Sequence, residues 1–247
     1  MNERKLSVTN ALIIINVVVF LVGIMVQQKA LLCIPCPQVP DAPNVSIFEI
    51  TCAYSWFTCF LEGEIWRLVT HQFVHANFGH ILFNMWALYF FGPAVESAMT
   101  PRRFLAFYLI CGAAGALFSS LLAGMNLYTS IPPTLQNTLI CNNLAAFSGY
   151  EGQVACWEMI PLVGASSSIY GIIVACAFMY PEVQISLLFP PVTLRLRTFA
   201  LIIIGIASFT ILFNLTNAGG EAGHLGGVLM GALIMSIWKH RIMNRYH

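Results

Sequence analysis

The sequence predicts an all-α, polytopic membrane protein, and composition is the first reason. Apolar residues make up 58% of its 247 residues and charged residues only 9%, with a mean hydropathy of +0.79. Soluble globular domains carry charge on about a quarter of their residues. The net charge of +1 gives no sign of a clustered basic face, so we expect no nucleic-acid partner.

Six apolar runs approach the ~20 residues that a helix needs to cross ~30 Å of hydrocarbon. We therefore expect one domain, residues 1–247, containing six membrane-spanning helices. The first run could be a signal peptide, but it is long and no convincing small-residue cleavage site follows it before Lys29. The expected spans are residues 10–27, 80–97, 104–124, 164–180, 197–216 and 222–238.

Basic residues predict the direction of the helices, because cytoplasmic loops hold the excess of Lys and Arg. With both termini in the cytoplasm, nine of the 11 basic residues fall on that side, and only Lys29 and Arg67 lie outside. We expect this topology in a bacterial inner membrane. The nine cytoplasmic residues are Arg4, Lys5, Arg102, Arg103, Arg195, Arg197, Lys239, Arg241 and Arg245.

Two long external loops, residues 28–79 and 125–163, contain the Pro, Asn and Thr typical of turns rather than helices. The first is also rich in Trp and Phe, side chains that favour the membrane interface. We expect this first loop to lie on, or partly in, the outer leaflet.

Six cysteines lie in these external loops, which favours disulfides in an oxidising compartment. The sequence does not fix their pairing, and six unpaired small residues are the alternative. Cys33 and Cys36 also form a C-x-x-C pair, but no thioredoxin-like βαβ pattern surrounds it. The six are Cys33, Cys36, Cys52, Cys59, Cys141 and Cys156.

Polar side chains inside the predicted spans indicate function, because each is unfavourable in lipid. His80 and Asn84 are four residues apart and share one helical face. In the sixth span, Gly227 and Gly231 lie on the face of His224 with G-x-x-x-G spacing. This face allows a neighbouring helix to approach closely.

The fourth span begins at a serine triplet, and Tyr170 lies one turn after Ser166 on the same face. A serine hydroxyl attacks a carbonyl only when a base, such as a neutral imidazole, accepts its proton. Ser166, His80 and His224 all start inward-running spans, so they can share one layer of the membrane. The pattern is typical of an activated serine nucleophile.

These residues belong to a series of short motifs that runs from the first loop to the sixth span. The motifs are Trp66-Arg67, His80-x-x-x-Asn84, Gly92-x-x-x-Glu96, Gly164-x-Ser166 with Tyr170, and Gly223-His224-x-x-Gly227-x-x-x-Gly231. Each alone is weak, but in this order and spacing they resemble the rhomboid family of intramembrane serine proteases.

The resemblance implies a Ser-His dyad endopeptidase, without a cofactor, that cleaves single-span membrane proteins near the outer face of the bilayer. Ser166 would be the nucleophile and His224 the general base. The Ser166 N–H with the side chains of His80 and Asn84 would form the oxyanion hole. Tyr170 would stack on the histidine and orient it.

Five residues are expected to be structural rather than chemical. Arg67, beside Trp66, should anchor the first loop, and Glu96 should hold a helix end. Gly227 and Gly231 should allow close helix packing.

Three features near the dyad need separate expectations. Ser167 replaces the glycine usual in the family and adds a hydroxymethyl group near the oxyanion site, which the first turn of a helix tolerates because it needs no positive φ. Glu221 could touch His224, but we favour a carboxylate at the membrane surface. Residues 214–220, which include two glycines, suit a mobile cap over a polar cavity.

The sequence also allows alternative functions. The alternative function is a catalytically inactive rhomboid-like protein that binds membrane clients; such relatives usually lack the serine or the histidine. A transporter predicts inverted repeats or charged spans, and neither is evident.

The serine triplet could be small packing residues. His71, His75, His80 and His224 could bind zinc or copper, but the chain has no H-E-x-x-H motif, and we expect no metal.

Overall fold

The described part of the chain is mostly helical, which confirms the predicted all-α class. The computed structural model describes residues 6–29, 44–128, 161–187, 191–215 and 217–243. The α-helices are α1 (Val8–Met25), α2 (Ile47–Cys52), α3 (Arg67–Thr70), α4 (Phe78–Ala98), α5 (Pro101–Gly124), α6 (Ser166–Met179), α7 (Leu196–Leu212) and α8 (Ala218–Met243).

Two short antiparallel strand pairs accompany the helices. In the first pair, β1 (Gln27–Lys29) lies beside β2 (Asn44–Ser46). In the second, β3 (Gln184–Ser186) lies beside β4 (Thr193–Arg195), directly before α7.

Within the described ranges, four helices are long and apolar enough to cross a membrane: α1, α4, α5 and α8. The two others that coincide with predicted spans, α6 and α7, are apolar but have only 14 and 17 residues. Pro181 follows soon after α6, and a proline disfavours helical backbone in the residue before it. Helix α7 ends at Leu212, and Asn214, shortly after it, has a positive φ of 48°. The count of six spans therefore stays a prediction.

Three of the long helices begin at a residue whose side chain caps the first turn. Each hydroxyl or amide oxygen accepts a hydrogen bond from a backbone N–H that has no intrahelical partner. The capping residues are Ser7 for α1, Asn77 for α4 and Thr100 for α5. Asn77 accepts from the N–H of His80 at 2.9 Å, which fixes where α4 presents that imidazole.

Helix α6 lies at the centre of the bundle and is buried along most of its length. Glycines allow its neighbours to reach its backbone. A Cβ at Gly227 of α8 would lie 1.9 Å from the Ser167 carbonyl oxygen, and one at Gly231 would lie 2.8 Å from the Cα of Gly171. The backbones of α6 and α8 are therefore in direct contact, which holds the first turns of both helices together.

The first helix is tied to the far end of α4 by one carboxylate. Glu96 accepts hydrogen bonds from the N–H groups of Val8 at 2.6 Å and Thr9 at 2.9 Å, and from the Thr9 hydroxyl at 2.6 Å. The structure thus places Glu96 against the N-terminus of α1, where a negative charge is also favoured by the helix dipole.

The first loop contains helical segments, so the prediction of turns rather than helices is wrong for its described part. Besides α2 and α3 it holds a π-helix, Phe57–Leu61, and a 3-10 turn, His71–Phe73. Buried Arg67 forms an ion pair with Glu64 and donates to the carbonyl of Ala53 at 2.8 Å. The bond to Ala53 joins residues 14 positions apart and supports a short helical segment, which composition does not reveal.

Two of the six loop cysteines lie in the described residues, and the disulfide prediction is wrong for both. Cys52 and Cys59 carry free thiols. Cys59 packs with Tyr54 and Ala116 as a small apolar residue, and its burial raises the pKa of the thiol. The other four, Cys33, Cys36, Cys141 and Cys156, lie outside the described residues.

Candidate active site

Ser166 and His224 form a hydrogen-bonded pair between α6 and α8. The Ser166 Oγ lies 2.8 Å from the His224 Nε2. Ser166 is the first residue of α6, and His224 lies early in α8. Gly227, one turn after His224, permits the backbone contact that brings the two side chains within reach. This is the geometry in which an imidazole can remove a hydroxyl proton.

The Tyr170 ring stacks on the His224 imidazole. The ring centroids are 4.1 Å apart and the planes differ by 13°. Tyr170 is one helical turn after Ser166, so α6 supplies both the hydroxyl and the ring that faces its partner. The stack holds the plane of the imidazole.

Glu221 contacts the opposite edge of the same imidazole, and the expectation of a mere surface charge is wrong. Its Oε2 lies 2.9 Å from the His224 Nδ1. The predicted sixth span starts at residue 222, whereas α8 begins at Ala218. Glu221 is therefore in the first helical turn, three residues before His224 and on the same face.

His80 and Asn84 come from the start of α4 and meet the loop before Ser166. Gly164 has a φ of +114°, and a Cβ there would lie 2.6 Å from the His80 Nε2. Only glycine fits this position, for both reasons. The Nδ2 of buried Asn84 has no hydrogen-bond partner among the described residues. Ser166 opens its helix, where backbone N–H groups have no intrahelical acceptor.

Two further histidines support the loop before Ser166, a role that the sequence reasoning missed. The Gly164 N–H donates to the His71 carbonyl at 2.8 Å, and the Ala165 N–H points to the His75 Nε2 at 3.5 Å. Burial lowers the pKa of His71 to about 4 and that of His75 to about 3. The sequence signal that could have indicated this role is that both histidines lie close to His80 along the chain. Within the described ranges no group of three potential metal ligands forms.

The other two serines of the triplet point into the protein. A Cβ at Gly115 of α5 would lie 2.5 Å from the Ser167 Oγ, and one at Gly223 of α8 would lie 3.1 Å from it. The Ser167 hydroxymethyl group thus packs between α5 and α8, and an effect of this group on the oxyanion site stays a prediction. Ser168 is fully buried and bonds to the Tyr108 carbonyl at 2.8 Å.

A cavity of about 1900 Å³ opens beside these residues. Its lining includes Ser166, His80, Asn84, Tyr170 and His224. Apolar side chains of α4 and α7 form much of the remaining wall. They include Phe83, Trp86, Phe90, Phe199 and Ile203.

The expected cap, residues 214–220, is shorter in the structure. Gly219 and Gly220 belong to α8, so the two glycines lie in the helix and not in a mobile loop. The described turn residues Asn214 and Asn217 have positive φ values of 48° and 68°. Both also line the cavity.

Residues 62–241 match the model of the family described as the Rhomboid domain. The chain is 30% identical over 176 residues to rhomboid protease AarA of Providencia stuartii, covering 70% of this chain and 56% of that protein. It is 30% identical over 178 residues to RHOMBOID-like protein 12, mitochondrial, of Arabidopsis thaliana, covering 70% and 46%. It is also 32% identical over 79 residues to Inactive RHOMBOID-like protein 8 of the same plant, covering 32% and 22%. The chain spans about half the length of the first two relatives.

Proposed function

The chain belongs to the rhomboid family, and on that premise we propose that it is an intramembrane serine endopeptidase that cleaves single-span membrane proteins. The observation that carries this proposal is the 2.8 Å contact between the Ser166 Oγ and the His224 Nε2. A rhomboid protease of Providencia stuartii and an inactive plant protein are both among its relatives. The paired serine and histidine favour the protease.

The proposed reaction starts with the Ser166 hydroxyl. His224 Nε2 accepts its proton while the Oγ attacks the scissile carbonyl carbon. The resulting tetrahedral oxyanion is held by the Ser166 N–H with the side chains of His80 and Asn84. The unpartnered Nδ2 of Asn84 supports this role, because a buried donor without a partner is stabilised by an incoming oxygen.

Breakdown of the intermediate requires the same histidine as an acid. His224 returns the proton to the leaving amine, and water then hydrolyses the acyl-enzyme by the reverse sequence of proton transfers. The stack with Tyr170 supports an orienting role for that ring in both half-reactions.

We place the reaction near the outer face of the membrane. The chain is an integral membrane protein, and its basic residues favour six spans with both termini in the cytoplasm. In that topology the first turns of α4, α6 and α8 lie at the outer side. A bacterial inner membrane is the proposed location.

The cavity supports a membrane-protein substrate. Its apolar wall from α4 and α7 suits a single transmembrane helix, and its polar end holds the serine and the two histidines. The described turn residues Asn214 and Asn217 are the proposed cap, which opens to admit water.

Cleavage of a tagged single-span fusion protein by purified enzyme in vesicles tests this function. The wild type is expected to release the tagged fragment, and Ser166→Ala to release none. Ser167→Ala is the matched control and should retain activity. Equal release by the wild type and Ser166→Ala, or none by either at any pH, would favour the inactive, client-binding alternative.

A further inference from the structure

The carboxylate of Glu221 has an unusual environment for a charged group at the edge of a membrane. Its side chain is only 17% exposed. Among the residues that the structure describes, no lysine or arginine forms an ion pair with it, and its partner is the His224 Nδ1 at 2.9 Å. A carboxylate held away from water is costly unless its hydrogen bonds are supplied by the protein. His224 supplies that bond.

The first turn of α8 holds this carboxylate in place. The Glu221 N–H donates to the Asn217 carbonyl at 3.0 Å. The Ser119 hydroxyl lies 3.0 Å from the Gly219 carbonyl, and the Tyr128 hydroxyl donates to the Ser119 carbonyl at 2.9 Å. The positive end of the helix dipole also favours a negative charge at this point. These bonds fix the backbone that carries Glu221, and the contact with His224 orients the carboxylate.

We propose that Glu221 is the third member of a Ser166–His224–Glu221 triad, as the residue that positions the base. This inference rests on the proposed protease function. The carboxylate accepts a hydrogen bond from the His224 Nδ1–H, which leaves Nε2 unprotonated and facing the Ser166 hydroxyl. In a serine protease with such a carboxylate, the acid fixes the tautomer and stabilises the imidazolium.

The stack with Tyr170 does not make this hydrogen bond redundant. Stacking restricts the plane of the imidazole but not rotation within that plane. A bond at Nδ1 removes that freedom and selects the tautomer. Within the part of the chain that the structure describes, the Ser166 hydroxyl, the Tyr170 ring and the His80 imidazole also lie near His224, and none of them carries a negative charge.

Glu221 takes part in no proton transfer in this scheme. During attack, the Ser166 proton moves to His224 Nε2, the Oγ–carbon bond forms, and the carbonyl electron pair moves to its oxygen. The proton then leaves with the amine when the peptide C–N bond breaks. Glu221 accepts the Nδ1–H bond in every state and takes no proton itself.

Labelling of the purified protein with a fluorophosphonate tests the inference without a transmembrane substrate. The probe reacts with the activated serine, so its second-order rate constant reports how well the base works. Glu221→Ala is expected to lower this rate by about 10²- to 10⁴-fold. Added formate should restore part of the rate in Glu221→Ala and leave the wild type unchanged, which a merely structural role would not produce.

A control variant shows whether slower labelling follows from the loss of Glu221 in particular or from the loss of any carboxylate. Glu182→Ala removes a carboxylate that is 59% exposed and paired with Arg195 and Arg197, and it should label at the wild-type rate. If Glu221→Ala does not fold, Glu221→Gln decides. It keeps the shape and a hydrogen-bond acceptor but not the charge, and should label at least about tenfold more slowly than the wild type.

The results distinguish this inference from the function on which it rests. Labelling of Glu221→Ala within about twofold of the wild type, or of Glu221→Gln at the wild-type rate, would overturn the triad and leave the protease intact. A wild type that neither labels nor cleaves would overturn the proposed function and the triad with it.

Discussion

At the scale of single residues, the candidate site depends on which side-chain atoms already have a hydrogen-bond partner and which do not. The His224 Nε2 lies 2.8 Å from the Ser166 Oγ, and its Nδ1 lies 2.9 Å from the Glu221 Oε2. The Asn84 Nδ2 has no partner among the described residues. Such buried, unpartnered groups are rare in folded proteins and need an explanation, and binding an oxyanion provides one.

Loss of the free amide of Asn84 should slow catalysis without harming the fold. Removing one oxyanion donor typically lowers kcat by about 10²- to 10³-fold. Asn84→Ala is therefore expected to reduce kcat for the single-span substrate by that factor, while thermal unfolding in detergent changes little. An unchanged kcat would remove Asn84 from the oxyanion hole.

The ring of Tyr170, rather than its hydroxyl, should carry its effect. An aromatic pair contributes about 0.5–1.5 kcal/mol beyond area burial, which corresponds to a rate change of roughly 2- to 10-fold if it is lost in the transition state. Tyr170→Ala should lower kcat by this factor, and Tyr170→Phe should retain the wild-type value. A larger loss in Tyr170→Phe than in Tyr170→Ala would contradict the stacking role.

The sequence predicted which residues belong to the site better than it predicted the contacts between them. Motif spacing identified Ser166 and His224, which the structure brings to 2.8 Å. It misassigned Glu221, because the decision depended on where α8 begins, and helix boundaries are the least reliable part of a sequence reading. His71 and His75 were missed as supports of the 164–165 backbone, because that contact joins residues about 90 positions apart.

At the scale of elements, helices α5, α6 and α8 pack closely because glycines lie at their contacts. Gly227 and Gly231 of α8 face the backbone of α6, and Gly115 of α5 faces Ser167. The G-x-x-x-G spacing predicted that α8 could approach a neighbour closely. It did not show that α6, one of the shortest apolar helices, is the one enclosed by the others.

A methyl group at the tightest of these contacts should destabilise the bundle. In Gly227→Ala the new Cβ would lie 1.9 Å from a backbone oxygen, which can be relieved only by moving α6 or α8. We expect a loss of about 3 kcal/mol or more in the free energy of unfolding, together with loss of the Ser166–His224 contact. Thermal and denaturant unfolding in detergent measure the first effect, and fluorophosphonate labelling measures the second.

The control for this variant is a glycine with free space around it. A Cβ at Gly205 of α7 would meet nothing within 4 Å. Gly205→Ala should leave stability unchanged or raise it by up to about 1 kcal/mol, because alanine favours helix. Equal destabilisation by both variants would show that the α6–α8 contact has no special role.

At the scale of the whole molecule, hydropathy and charge predicted an all-α membrane bundle and the approximate position of each long helix. They did not predict the folded first loop, whose short helical segments are linked by the bond between Arg67 and the Ala53 carbonyl. They also misjudged Cys52 and Cys59, because the composition of a loop does not show which cysteines lie close enough to form a disulfide.

The buried histidines of the first loop should make stability depend on pH. In the unfolded chain an imidazole takes up a proton near pH 6.5, whereas burial lowers the pKa of His71 to about 4. The unfolded state therefore binds more protons between these values, and the free energy of unfolding should fall as pH decreases from about 6.5 towards 4. Above pH 7 these groups contribute no slope.

Unfolding temperatures of Ser166→Ala across this pH range measure the effect without self-cleavage. His71→Asn in that background keeps a donor for the Arg67 carbonyl, which the imidazole Nδ1 now approaches at 2.7 Å, and does not titrate. It should show a shallower fall below pH 6.5. An equally steep fall would assign the pH dependence to other groups.

Locating a covalent adduct shows whether Ser166 is a nucleophile activated by His224. Purified protein is treated with a fluorophosphonate, digested, and the modified residue is identified by mass spectrometry. We predict one adduct on Ser166 in the wild type and in Ser167→Ala, and none in Ser166→Ala or His224→Ala. An adduct on Ser167 would show that Ser166 is not the nucleophile. Labelling of Ser166 at the wild-type rate in His224→Ala would show that His224 does not activate it.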